Sequence, residues 1–347
     1  MAQDETEHVQ PQAPVGAQPD GGEGGGESKV TVLLALGANI GVGVLKLAAG
    51  LLTGSGALLS EAAHSAGDST TEVLLLVAQK RSEKPADRTH PFGYGKERYF
   101  WSLMAAVAIF VSGAAFSFYE GLTTIFGSSE ESGTMLWINY VVLALAAVLE
   151  GTSFRQAALQ MRRETRRLRL SVPAYLERPR DPTVNSVLLE DSAALIGLAI
   201  AALGVALHQI TGDSLYDGIA SMLIGCLLLG VSFVLTRACK NLLVGQQADP
   251  RLLAAIERWL EDQPEVDDVV DLLTMMTGAD SILLCARVDF VDSVTASELE
   301  KACVRLDRDL RKEWKMLDEI FIQPASCADE YMRERVAERY GEPMADV

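Results

Sequence analysis

The sequence predicts a membrane protein with an all-α, six-helix transmembrane domain joined to a small cytoplasmic α/β domain. Three observations carry this. The chain has 347 residues and is 49% hydrophobic, with a mean hydropathy of +0.17, yet its net charge is −17. The charge is confined to the ends: residues 1–28 hold six acids and no Lys or Arg, residues 246–347 hold 24 acids and 12 bases, and residues 29–245 hold 17 acids and 18 bases. The near-neutral middle breaks into apolar runs of the length that crosses a bilayer, about 20 residues each. That distribution rules out a single soluble globule, and the lack of a basic face argues against a nucleic-acid partner.

Taken in order, residues 1–28 are rich in Gly, Gln, Glu and Asp without an apolar run, so a disordered acidic arm is expected. The arm has neither the apolar core of a signal peptide nor the arginines of a mitochondrial presequence. The transmembrane domain then occupies 29–245. Its expected spans are Val30–Thr53, a second running from the Gly54-Ser55-Gly56 turn to about Gln79, Phe100–Phe126, Met135–Met161, Thr183–Leu207 and Leu215–Thr236. An even number of spans puts both termini on one side. The connections 80–98 and 162–180 are rich in Lys and Arg, whereas 54–56, 127–134 and 208–214 have none. The basic loops and both termini are therefore expected in the cytoplasm, with a bacterial inner membrane as the expected location.

Residues 246–327 read as a soluble two-layer α/β module of order αββαβ. A helix over Asp249–Asp262 places Leu252, Leu253, Ile256, Trp259 and Leu260 on one face. Strands follow over Val266–Met275 and Ser281–Phe290, around a Thr277-Gly278-Ala279-Asp280 turn. A second helix is expected over Ala296–Lys312 and a last strand over Glu319–Gln323, with residues 328–347 a charged tail. The five cysteines form no CxxC pair, so neither a disulfide framework nor a zinc knuckle is indicated.

Ionisable groups inside a membrane are costly and point to function. The second span carries Glu61, His64, Asp68 and Glu72, whose spacings of three, four and four hold all of them on one helical face. His64 and Asp68, one turn apart, can offer an imidazole nitrogen and a carboxylate oxygen to one ion. The fifth span adds Glu190 and Asp191 at a similar depth. Mixed nitrogen and oxygen donors suit Zn2+, and Mn2+, Fe2+ or Co2+ are possible with the same set. The alternative is that these groups satisfy one another or line a wet cleft. Lys46 and Glu150 are expected to neutralise each other as a structural pair, and Glu120 and Asp217 to sit at solvated outer ends.

The string from Gly54 to Asp68, GSGALLSEAAHSAGD, followed by His90-Pro91-Phe92-Gly93-Tyr94-Gly95-Lys96, resembles the signature of the cation diffusion facilitator family. The stretches Arg180–Asn185, Val187–Ala194 and Ile210–Gly218 are similar to the branch of that family around zinc transporter nine. The resemblance spans about residues 30–325. It implies six membrane helices, a cytoplasmic ferredoxin-like domain, a homodimer, and export of zinc-like ions from the cytoplasm against protons. Asp191 matches an aspartate of the family's fifth-helix ligand motif, but Val187 stands where a further ligand belongs. Glu190 is the obvious replacement, yet it lies roughly 100° around the helix from Asp191. Either the helix is distorted there, or three protein ligands and water hold the ion with Glu190 carrying a proton. Glu61 is a second candidate ligand or proton carrier, and Glu72 shares that possible role. Asp87 and His90 match a further loop site, but Tyr94 replaces its second histidine, and the loop's architecture is the favoured reading. The C-terminal domain contains no histidine, so loss of the family's regulatory metal cluster is expected.

Because imidazole must be neutral and carboxylates ionised to bind a cation, metal and protons compete for such a site. Two other readings make different predictions. A membrane metal sensor or scaffold would bind metal in its spans without flux. A membrane hydrolase would need a base beside metal-bound water, as in HExxH, and no such string occurs. No enzymatic activity is therefore expected.

Overall fold

The computed structural model describes residues 29–126, 137–167 and 182–340. The expected arm, most of the second basic loop and the end of the tail lie outside them. The chain separates into a helical unit and a C-terminal α/β unit, with the boundary near residue 246.

The helical unit holds α1 (Lys29–Thr53), α2 (Gly56–Ser82), α3 (Glu97–Phe126), α4 (Trp137–Arg167), α5 (Pro182–Thr211) and α6 (Leu215–Val244). Each covers one expected span, the fourth only from Trp137 on, since Met135 and Leu136 lie outside the described residues. Among the described residues, four of these helices are long and apolar enough to cross a membrane: Glu97–Phe126, Trp137–Arg163, Leu188–Thr211 and Leu215–Val244. Asn39–Thr53 of α1 is a shorter apolar helix. The polar face of α2, with Glu61, His64, Asp68 and Glu72, accounts for its lower mean hydropathy.

The packing suits a lipid solvent. The core cluster is built from small residues, including Ala57, Ala106, Ala146, Ala201 and Ala220, around Ile109, Leu198, Ile224 and Leu228. Large apolar side chains such as Val44, Leu51, Leu203 and Phe233 point outward. Between membrane helices no hydrophobic drive favours burying Leu over exposing it to lipid, so close backbone approach through small residues holds the bundle.

Helices α1 and α2 form a hairpin around Gly54, whose φ of 72° is open to glycine at no steric cost. The hairpin register brings Gly50 against Leu59, Gly43 against Ser65, and Asn39 against Glu72. Helix α3 is interrupted by a π-helical segment, Ile109–Ala115. Such segments leave backbone groups poorly served. The Ser232 hydroxyl of α6 donates to the Ala106 carbonyl at 2.8 Å just ahead of it.

In the C-terminal unit the order is α7 (Pro250–Glu261), β1 (Val266–Met276), β2 (Ile282–Phe290), α8 (Ala296–Glu313), β3 (Leu317–Pro324) and α9 (Glu330–Tyr340). The expected αββαβ order is thus present, with boundaries within two residues. The sheet order is β1-β2-β3, and β2 pairs parallel to β3 with Leu284 opposite Ile320. Asp249 caps α7 by accepting from the Arg251 amide, and a reciprocal Thr295–Glu298 box starts α8. The buried faces are Leu252, Ile256 and Leu260 of α7, Leu284, Ala286 and Val288 of β2, and Ala302, Leu306 and Leu310 of α8. The tail includes an ordered helix, α9, whose Arg339 reaches the buried Asp271 at 2.8 Å.

Candidate metal site

Helix α2 places the histidine and the first acids. It packs against α1, α3, α5 and α6, so its polar face is turned into the bundle. His64 is 2% exposed. Its Nδ1 lies 3.4 Å from Asp68 Oδ1, a close contact that is longer than an ordinary N–H···O hydrogen bond. His64 Nε2 and Asp68 Oδ1 have no hydrogen-bond partner among the described residues. Unsatisfied buried polar atoms are rare and call for a cause. Here two metal-ligating atoms one turn apart share the deficit.

On α5, Glu190 Oε1 is likewise buried without a partner. Asp68, Asp191 and Glu72 lie within its electrostatic reach, and Asp191 within that of Asp68. Asp191 Oδ2 accepts from the Ser153 hydroxyl of α4 at 2.8 Å. Glu72 Oε1 accepts from the Asn39 amide of α1 at 2.6 Å. His64, Asp68 and Glu190 therefore offer free donor atoms, while Asp191 and Glu72 each have one oxygen engaged. Among the described residues, no group of three or more His, Cys, Asp or Glu side chains is close enough together to hold a metal ion. The candidates border one region from α2 and α5 without forming a closed shell.

Several expectations need correction. Lys46 does not pair with Glu150. Its Nζ lies 3.1 Å from Glu61 Oε2 and donates to Ser65 Oγ at 2.9 Å, with both charged side chains fully buried. The reason is the hairpin: Lys46 sits eight residues before Gly54 and Glu61 seven after it, so the two face each other. Lys46 thus engages Glu61 Oε2, while Glu61 Oε1 is buried without a hydrogen-bond partner among the described residues. Asp217 is not solvated either. It is 2% exposed and accepts from the Ser55 hydroxyl at 2.9 Å and the Ala57 amide at 3.2 Å, tying α6 to the start of α2.

The Asp87–His90 loop closes on itself. Asp87 Oδ1 accepts from the amides of Thr89 and His90, and Oδ2 from the Tyr94 hydroxyl at 2.8 Å. The His90 amide first, then Tyr94, holds the Asp87 carboxyl below its ordinary range. His90 packs its ring on Tyr94 with centroids 4.2 Å apart. These contacts support the architectural reading of this loop. In the C-terminal unit, Asp289 accepts from the Cys327 amide at 2.7 Å and Asp268 from the Cys327 thiol at 3.2 Å.

The bundle is that of a multi-pass membrane protein with buried nitrogen and oxygen atoms of α2 and α5 that lack hydrogen-bond partners among the described residues. Residues 32–244, more than half of the chain, match the cation efflux transmembrane domain. The chain belongs to the cation efflux, or cation diffusion facilitator, family. It is 35% identical over 262 residues, 75% of its length, to the "Proton-coupled zinc antiporter SLC30A9, mitochondrial" of Xenopus laevis. The human protein of that name is 35% identical over 257 residues, 74% of this chain. "Metal tolerance protein C4" of Arabidopsis thaliana is 29% identical over 315 residues, covering 91% of this chain and 66% of the plant protein. The chain covers 46% and 45% of the frog and human relatives. Those two carry mitochondrial names, so they lend no support to the expected bacterial inner membrane.

Proposed function

We propose that this chain is a divalent metal cation transporter, with zinc the favoured substrate, which exports the ion from the cytoplasm in exchange for protons by alternating access. The observation that carries the reading is the pair His64 Nε2 and Asp68 Oδ1, ligand atoms buried without partners on a helix that faces the free Glu190 Oε1 of α5. Membership of the cation efflux family and similarity to proteins named as proton-coupled zinc antiporters support the substrate and the coupling. His64, Asp68, Glu190 and Asp191 are the proposed ligand set, with Val187 leaving the fourth family position to Glu190.

The coupling follows from the donor chemistry. A cation needs neutral imidazole and ionised carboxylate, so binding expels protons, and protons expel the cation. If α2 and α5 present the site alternately to the two sides, metal loads where protons are scarce and leaves where they are abundant. The six helices act as six spans, with both termini cytoplasmic as the Lys and Arg distribution suggests. The αββαβ order supports a ferredoxin-like soluble domain, and a homodimer is the proposed assembly.

The test is zinc-driven proton flux in proteoliposomes. His64→Ala and Asp68→Ala should each abolish it. Full flux in either variant would sink the site assignment. Saturable zinc binding by the wild type without any flux would instead favour a sensor or scaffold.

A further inference from the structure

Lys46 and Glu61 are a buried ion pair that the proposed transport cycle does not use. Both side chains are fully buried, and Lys46 Nζ is fixed by Glu61 Oε2 at 3.1 Å and Ser65 Oγ at 2.9 Å. Two charges inside a bundle are costly to desolvate and add little stability over a well-packed apolar pair. A third partner to the arrangement comes from α5: a Cβ at Gly197 would overlap Glu61 Oε1. The carboxylate therefore occupies space that a glycine leaves open, at the junction of α1, α2 and α5.

Glu61 is one helical turn from His64, on the same face. His64 lies within electrostatic reach of both Glu61 and Lys46. A buried carboxylate in that position would ordinarily join a cation's ligand shell. Its Oε2 is instead taken by an ammonium that is tethered to a different helix and cannot leave with the ion, and its Oε1, without a hydrogen-bond partner among the described residues, lies against Gly197 of α5. We propose that Lys46 is a specificity-determining residue that holds Glu61 out of the cation's ligand shell. The inference rests on the reading of His64 and Asp68 as cation ligands.

The chemistry gives this arrangement a use. Each added carboxylate raises the charge of a site and tightens its grip on a divalent ion, and oxygen-rich shells favour harder ions such as Mn2+. A shell with one imidazole and few carboxylates favours zinc and lets it go. Lys46, Glu61 and Glu150 all lie within electrostatic reach of Asp68, so the ammonium offsets part of the negative charge there. Without the ammonium, Glu61 is free to swing one turn down the helix toward the ion.

The experiment compares the full-length wild type with Lys46→Gln and with the charge-neutral double variant Lys46→Gln/Glu61→Gln. Zinc and manganese binding is measured by calorimetry in detergent, and flux of each ion in proteoliposomes. In Lys46→Gln the half-saturating zinc concentration should fall about tenfold and the manganese-to-zinc affinity ratio rise about tenfold, because one more carboxylate reaches the ion. In the double variant both should return to within about twofold of wild type, since the proposed ligands are untouched. A merely structural pair would reduce the yield of folded Lys46→Gln and leave affinity and ion ratio unmoved, which overturns the proposal. If Lys46→Gln does not fold, the double variant still decides: zinc affinity weakened tenfold or more, about the loss of one ligand, would make Glu61 a ligand in the wild type. Wild-type protein without zinc binding would defeat the site reading itself, whereas wild-type binding with an unmoved Lys46→Gln would defeat this inference alone.

Discussion

Replacing Asp217 by alanine should destabilise the helical unit by about 2–4 kcal/mol, because a buried charged acceptor with two donors is removed. The figure comes from the contacts. Asp217 accepts from Ser55 Oγ at 2.9 Å and from the Ala57 amide at 3.2 Å, and Ser55 Oγ in turn accepts from the Leu58 amide as the cap of α2. Hydrogen bonds to a charged group contribute about 1.5–3 kcal/mol each, and the two are coupled, so their sum overstates the loss. A carboxylate at a helix N-terminus adds about 0.3–1 kcal/mol through the helix dipole. Asp217→Asn keeps one acceptor and should cost less than Asp217→Ala. Ser55→Ala should cost about 1 kcal/mol, the usual loss for an N-cap. Reversible unfolding in mixed micelles, titrated with SDS, measures each variant. Because Ser55 links Asp217 to α2, the double variant should fall short of additivity by at least about 0.5 kcal/mol. Strict additivity, or an Asp217→Ala variant as stable as wild type, would refute the latch between α6 and α2.

Other predictions concern α5, the helix contact and the C-terminal unit. Glu190→Gln should raise the half-saturating zinc concentration by about tenfold or more, and Asp191→Asn by less, since Asp191 has one oxygen engaged by Ser153. The reverse order, measured by calorimetry, would move the ligand role to Asp191. Gly197→Ala should cost about 1–3 kcal/mol by overpacking, because its Cβ meets Glu61 Oε1; unfolding in the same micelles reports it, and an unchanged midpoint would contradict the contact. Burial, then the hydrogen bond to Asp268, pushes the Cys327 thiol up to about 12. At pH 8 only about one thiol in 10,000 is then ionised, against roughly one in ten at an ordinary thiol pKa near 9. Iodoacetamide should therefore label Cys327 far more slowly than a free thiol, and Asp268→Asn should speed it. Equal rates in the two proteins would exclude that cause.

Much of this was legible in the sequence because membrane spans and a two-layer α/β pattern are set by local periodicity. The apolar runs located the six helices described in the helical unit, and the alternation in Ile282–Phe290 located a strand whose Leu284, Ala286 and Val288 are buried. The spacing of His64 and Asp68 fixed their shared face without any tertiary information. Partners across helices were harder, since charge type alone does not say which helices touch. Lys46 has several acids available in sequence, and only the hairpin register selects Glu61; the near-equal distances of both from Gly54 were the usable signal. Asp217 looked like a solvated end residue by its position in α6. Its burial depends on Ser55 and Ala57, 162 and 160 residues away in sequence, which no periodicity reveals. Glycines were also under-read: Gly197 matters for what it leaves room for, and that needs the neighbouring helix.

The central claim is that His64 and Asp68 hold a cation that exchanges with protons. Zinc-driven proton release from liposomes containing the wild type and His64→Ala, under an imposed pH gradient, tests it most directly. The account predicts zinc-dependent flux that steepens with the gradient in the wild type and is lost in His64→Ala. Undiminished, gradient-dependent flux in His64→Ala would contradict it.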